Sequence, residues 1–266
     1  MQENNMRLID EAVSYEPVKN TFRLGWEFIT LNKKFTMSVM VVLLVLSLLG
    51  LIPIVGFIAS VFSSGFALAV QIYAGRLVYE TDNIENFVDE VHHADGQKVI
   101  ERYFAPALGA YMGWMIMGLL FVGIVTLALS SSGINFQGGM SATTNAELLS
   151  LFSTIGIPLF LVTLIFAYVQ PLVQSNIVMA NDFKEGFFAV FTIFSADVWR
   201  RAMQGSYFKY ISVYGVITLL AMFFFTFIFS IFAAIPIVNM LVLIVFVYIF
   251  SIMMTVSAVM AKRIVE

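Results

Sequence analysis

The sequence predicts an all-α polytopic membrane protein. Six transmembrane helices are expected as three hairpins, with interfacial amphipathic helices on the cytoplasmic side, in one membrane domain spanning 1–266. Three observations predict this. Hydrophobic residues make up 60% of the chain and charged residues only 12%, with a mean hydropathy of +0.92. A soluble domain carries about 25% charge, and at this length it could not hide so much apolar surface in one core. The apolar runs are continuous over about 20 residues, whereas barrel strands alternate apolar and polar over about 10. Finally, all 14 Lys and Arg residues lie before, after or in alternate connections between these runs.

The first element precedes the membrane. Val18, Phe22, Trp26 and Ile29 recur at helical spacing, with Lys19, Arg23, Lys33 and Lys34 between or after them. This predicts a helix in the interface, entered at Pro17, with its apolar side in the lipid and Trp26 at headgroup depth. Met1 to Glu11 is polar and acidic and the first apolar run begins late, so no cleavable signal peptide is expected.

Phe35 to Gly75 carries no charge and is broken by Leu51-Ile52-Pro53-Ile54-Val55-Gly56. Span one is expected at Phe35 to Leu51 and span two at Phe57 to Gly75, joined by a tight turn. Arg76 to Arg102 is the most polar stretch. Ile84, Phe87, Val88 and Val91 recur at three and four, so a surface helix is expected there, with a break at Asp95-Gly96. Span three is expected at Tyr103 to Leu129 and a flexible Ser-, Gly-, Asn- and Thr-rich loop at Ser130 to Ala146. Span four runs from Leu148 to Gln170 and on past Pro171 toward Asn181, with a kink at the proline. Phe183 to Gln204 reads as one further interfacial helix, with Phe187, Phe188, Val190, Phe191, Phe194, Val198 and Trp199 as its apolar part. Tyr210 to Ala261 is uncharged and holds two more spans, turning near Ala233 to Asn239 and leaving at Lys262-Arg263.

Excess Lys and Arg marks the cytoplasmic face. With six spans both termini share that face, which predicts a multi-pass protein of a bacterial inner membrane. The surface-helix, span, turn, span pattern also suggests repeats at 14–80, 81–182 and 183–266. The first and third contain Ile-Pro-Ile-Val, at Ile52 to Val55 and Ile235 to Val238, and both leave through basic residues. Apolar sequence of low complexity imitates such repeats easily.

The segment Glu16-Pro17-Val18-Lys19-Asn20-Thr21-Phe22-Arg23-Leu24-Gly25-Trp26, ahead of Asn32-Lys33-Lys34-Phe35, resembles the opening of a group of six-span bacterial membrane proteins. These include the membrane domain fused to some glycerophosphodiester phosphodiesterases. Phe183 to Arg201 ahead of a long hairpin is similar to the same pattern. The resemblance implies a layout and no catalytic residue, because the chemistry of those fusions sits in a separate soluble domain.

Several constellations could carry chemistry. Glu85, Asp89, His92 and His93 would share a helix face, and carboxylate with neutral imidazole can bind a divalent metal. The plainer reading is a solvated acidic face, and H-E-x-x-H is absent. No metal or other cofactor is therefore expected, and with zero cysteines no thiolate site or disulfide. Ser130-Ser131-Ser132-Gly133 has no histidine on its side to make a hydrolase. Nucleic-acid binding has no support.

The polar residues at depth are Gln71, Gln170, Gln174 and Asn176, with Asn239 near a turn. Beside Pro171, which frees a backbone carbonyl one turn earlier, they form a candidate contact for a substrate or lipid; interhelical hydrogen bonding is the alternative. Proton- or ion-coupled transport usually needs ionisable groups at depth, and the predicted spans hold none. Lys33, Lys34, Arg76, Arg102, Arg200, Arg201, Lys262 and Arg263 are candidate headgroup contacts at the cytoplasmic interface. Gly109 and Gly113 have the spacing of a close helix contact, as do Ser60 and Ser64. These features predict a non-enzymatic protein that binds or organises lipid, a membrane partner or further copies of itself. A transporter or channel for a neutral or amphiphilic solute is the competing expectation.

Overall fold

The computed structural model describes residues 7–131, 153, 156–232 and 235–266, and its regular elements are all helical. In order they are α1 (Leu8–Ser14), α2 (Pro17–Leu31), α3 (Lys33–Leu49), α4 (Val55–Glu80), α5 (Ile84–His92), α6 (Gly96–Ser131), α7 (Ile157–Val178), α8 (Phe183–Phe191), a 3₁₀ turn (Thr192–Phe194), α9 (Ala196–Ala202), α10 (Gly205–Ile231) and α11 (Pro236–Val265). Five of these, α4, α6, α7, α10 and α11, are long and apolar enough to cross a membrane. Counting α2 and α3 as one bent span makes six. Most of the expected loop and the start of span four lie outside the described residues, as do Ala233 and Ala234.

The breaks have local causes. Asn83 and Asp182 cap α5 and α8 by accepting from the backbone N–H groups of Asn86 and Glu185, at 2.9 and 2.8 Å. Glu185 completes the second cap by accepting from the Asn181 backbone N–H at 2.8 Å. The α3–α4 connection contains a γ-turn. Val55 N–H donates to Pro53 O at 2.8 Å around Ile54, which sits at φ 69 and ψ −57. A β-branched residue there is strained. Gly56 lets the chain close, since a Cβ on it would fall 2.3 Å from Gly50 O. The second Ile-Pro-Ile-Val folds differently. Pro236 is the first residue of α11, where its missing N–H costs nothing, and Ile237 and Val238 are already helical.

Several expected boundaries shift. α6 begins at Gly96, seven residues before the uncharged stretch, and continues through Ser131. At 1.5 Å per residue it is about 54 Å long, well beyond a hydrocarbon core of about 30 Å. α7 does continue past Pro171, as expected, and ends at Val178. The expected single helix from Phe183 to Gln204 is two, because the 3₁₀ turn and the capping Ser195 interrupt it.

Burial is concentrated at one end. The core draws mainly on the last halves of α4, α7 and α11 and the first halves of α3, α6 and α10, joined by α1, α2, α5, α8 and α9. This end, called the foot here, also holds every charged side chain among the described residues. Toward the other end the helices expose apolar side chains, as at Val41 to Phe62, Leu119 to Leu127, Ile157 to Ile165, Val216 to Ile231 and Leu241 to Val247.

The helices expected at the interface each pack one face on the bundle. On α2, Thr21, Leu24, Gly25, Phe28 and Ile29 are buried, while Trp26 is exposed and Phe22 half-buried. That face packs on α11, α3, α5 and α10. α5 turns Phe87 and Val91 inward. α8 rests on α6, where Gly109 and Gly113 admit its backbone and Gly186 admits that of Pro106. The Gly109/Gly113 pair is therefore an intramolecular contact. Ser60 is exposed and bonds the Gly56 carbonyl of its own helix.

Candidate functional site

The polar residues near Pro171 do not form one site. Gln71 of α4 accepts at its Oε1 from Gln174 of α7 and from Thr255 of α11, each at 3.4 Å. Gln174 and Thr255 are buried and Gln71 half-buried, at a junction of three helices. Asn176 donates to the Thr192 hydroxyl at 3.0 Å, tying α7 to the end of α8. Pro171 is buried and Gln170 half-buried, and no hydrogen bond joins Gln170 to the other amides. For Gln71, Gln174 and Asn176 the observed contacts are interhelical hydrogen bonds.

The basic residues also divide. Arg76 does not meet the expectation of a headgroup contact, because it is 7% exposed and engaged within the protein. Its Nε donates to Val178 O at 2.9 Å, and Nη2 reaches Met179 O, Ala180 O and Asn181 Oδ1 at 3.0, 2.8 and 2.9 Å. These carbonyls end α7, where a helix leaves acceptors unpaired and carries negative partial charge. Glu80 lies 3.5 Å from Nη1. Arg263 pairs with Asp10 and Glu266, and Lys262 lies 3.6 Å from Glu266, so both fasten the end of α11 locally. Arg201 is 2.8 Å from Asp197, which Arg200 also meets. Lys33, Lys34 and Arg102 are exposed, and Arg102 lies over the Tyr103 ring.

Two joints at the foot escaped the sequence reading. Asn32 sits where α2 meets α3 at 85°. Its Oδ1 accepts from Phe35 N–H at 2.9 Å and caps α3. Its Nδ2 donates to the carbonyls of Val91, His92 and Ala94 that end α5, at 3.0, 3.0 and 3.3 Å. In the second joint the Tyr210 hydroxyl of α10 lies 2.7 Å from that of Thr21 in α2 and 3.1 Å from that of Ser257 in α11. All three residues are buried.

Two cavities open at the foot. The first, about 510 Å³, lies between the end of α4, α5 and the start of α6. Its walls carry Glu80, Asp82, Asp89, Glu90 and Asp95 together with Arg76, Lys98 and Arg102. Of the suggested metal-binding face, only Asp89 and His93 line it; they are 3.4 Å apart and well exposed. No group of three potential ligands occurs among the described residues.

The second cavity is a groove of about 740 Å³ between the start of α2, the start of α10 and the end of α11. Val18, Phe22, Val213 and Ile217 make its apolar walls, and the Tyr210 joint holds those walls together. Lys19, Lys209 and Arg263 line it with one carboxylate, Glu16. Neither cavity is lined by Gln170 or Gln174. The groove went unnoticed in the sequence because its walls come from both ends of the chain. Its one local trace is Lys209 followed at four and eight residues by Val213 and Ile217.

No family model, curated protein or solved structure matches the chain.

Proposed function

We propose that this is a non-enzymatic integral membrane protein that binds lipid at the foot of its helical bundle. The carrying observation is the groove, apolar in its walls, lined by three cations against one carboxylate, and continuous with a helix apolar enough to span a membrane. That combination suits an amphiphile. The competing transport reading would use the polar residues near Pro171. Gln71, Gln174 and Asn176 are engaged between helices instead, and neither cavity at the foot is lined by Gln170 or Gln174.

The same proposal takes the chain to cross a bacterial inner membrane six times, as three hairpins, with the foot and both termini cytoplasmic. The segregation of charge supports this orientation. The 85° bend at Asn32 supports α3 as a short span and α2 as a helix lying across its end. α3 is about 25 Å long, so the membrane must thin or draw in its flanks. Kinship with the six-span membrane domains noted above is proposed on layout alone.

Native mass spectrometry of the intact protein released from its membrane tests the reading. Lipid retained at a defined stoichiometry is the expected result. A bare protein that, once reconstituted, passes a neutral solute across the vesicle wall would overturn it. A reporter fused after Glu266 should be active in the cytoplasm; activity confined to the far side would overturn the topology.

A further inference from the structure

We infer that the groove between α2, α10 and α11 holds a phospholipid with an anionic headgroup, an assignment that rests on the lipid-binding reading above. The groove is graded along α10. Lys209 stands at its basic end, near the start of the span. Val213 and Ile217 follow on the same wall, about 6 and 12 Å further along the helix axis. Both are substantially exposed in the protein. A headgroup beside Lys209 would therefore lay an acyl chain against Val213 and Ile217, in the direction in which α10 enters the membrane. Val18 and Phe22 supply the facing wall from α2.

The charge at the mouth selects the headgroup. Arg263 is neutralised by Asp10 and Glu266, and Lys19 lies 2.7 Å from Glu16. Lys209 has no ion-pair partner among the described residues. It is a cation beside an apolar channel whose one lining carboxylate, Glu16, is paired with Lys19, and it is the complement of a lipid phosphate. A zwitterionic head would bring its own ammonium into this cationic mouth and gain less.

The walls are set before any lipid arrives. The Tyr210 hydroxyl ties α10 to Thr21 and Ser257, and the Phe22 ring stacks on Tyr214 with centroids 5.6 Å apart. Binding then needs little reorganisation. α10 is also the least buried of the five long helices, which leaves room for lipid beside it.

The test uses the full chain in nanodiscs made with phosphatidylglycerol or phosphatidylcholine of identical chains, followed by native mass spectrometry. The wild type should retain one phosphatidylglycerol in preference to phosphatidylcholine. Lys209→Gln should weaken that preference about fivefold, the worth of one lysine at an anionic surface, and Lys209→Arg should restore it. Lys184→Gln, which also removes an exposed cation but outside the groove, should leave it unchanged. Val213→Trp should fill the channel and displace both lipids, with an unaltered melting temperature showing that the fold survives. If both lipids are retained equally and Lys209→Gln changes nothing, the anionic assignment falls while lipid binding stands. If Lys184→Gln acts as strongly as Lys209→Gln, or Val213→Trp leaves phosphatidylglycerol bound, the groove is not the site. A wild type that retains no lipid removes both readings.

Discussion

Replacing Arg76 by Met should be the most damaging single change at the foot. The side chain is nearly as long and apolar, so little volume is lost and the guanidinium itself is tested. Arg76 satisfies three carbonyls at the end of α7 and the Asn181 side chain. A hydrogen bond to a charged group is worth about 1.5–3 kcal/mol, so four would sum to at least about 6. Burying a guanidinium opposes this by several kcal/mol. Removing it reverses that cost but strands the carbonyls, and breaking one side of a buried charged interaction costs about 3–5 kcal/mol in measured cases. We expect a loss of that size in equilibrium unfolding from mixed micelles. Lys, which brings charge without the planar fork, should recover only part of it. Glu80→Gln should cost less than about 1 kcal/mol, because that carboxylate is half exposed. An Arg76→Met protein within about 0.5 kcal/mol of wild type would refute the account, as would Glu80→Gln matching its loss.

Asn32→Ala removes the cap of α3, worth about 1 kcal/mol, together with the clamp on α5; a loss of about 2–3 kcal/mol is expected, with faster amide exchange over Ile84 to Ala94. Exchange unchanged there would show that α5 holds itself. Gly113→Leu should destabilise by about 1–3 kcal/mol or more through overpacking, because even a Cβ would lie 2.9 Å from Phe187 O. Gly123→Leu should stay within about 0.5 kcal/mol, since nothing lies within 4 Å of its Cβ position. Equal losses in detergent-solubilised melts would contradict the packing assigned to α6.

Much of the fold was legible because hydropathy and charge act over whole segments. The breaks at Pro53, Asp95-Gly96 and Asn181-Asp182, and the sorting of basic residues to one end, needed only composition and chain order. The protein-facing side of α2 was not legible. It carries two stripes at helical spacing, Val18/Phe22/Trp26/Ile29 and Thr21/Leu24/Gly25/Phe28, and the second is the one buried. Periodicity ranks apolar faces, but lipid and protein interior are both apolar, so it cannot say which receives which. Arg76 was misread for a related reason. A lone cation closing an apolar run serves as an orientation signal whatever it touches. Its partners are mostly backbone carbonyls about a hundred positions away, which leave no trace in residue type. The groove is likewise a product of assembly, since Lys19 and Lys209 become neighbours of one cavity only after α2 and α10 dock.

The contrast between the packed foot and the open apolar end has a cause in the same residues. Within a bilayer, apolar side chains gain little by exchanging lipid for one another, so small residues and hydrogen bonds must hold helices together. Gly25, Gly65, Gly75, Gly109, Gly113 and Gly186 would each place a Cβ within 3.0 Å of an atom from another helix. All belong to the foot. Gly118, Gly123 and Gly215, further along α6 and α10, meet nothing within 4 Å. The bonds that join separate helices follow the same division: Arg76 to α7, Asn32 to α5, Tyr210 to α2 and α11, and Gln71 to α7 and α11. Beyond that level the spans offer one another mainly Leu, Ile, Val and Phe, which lipid chains match. The helices are thus fastened where the sequence supplies small and polar contacts. The groove lies at the margin of that fastened region, where α10 is held by Tyr210 at its base and faces lipid above it.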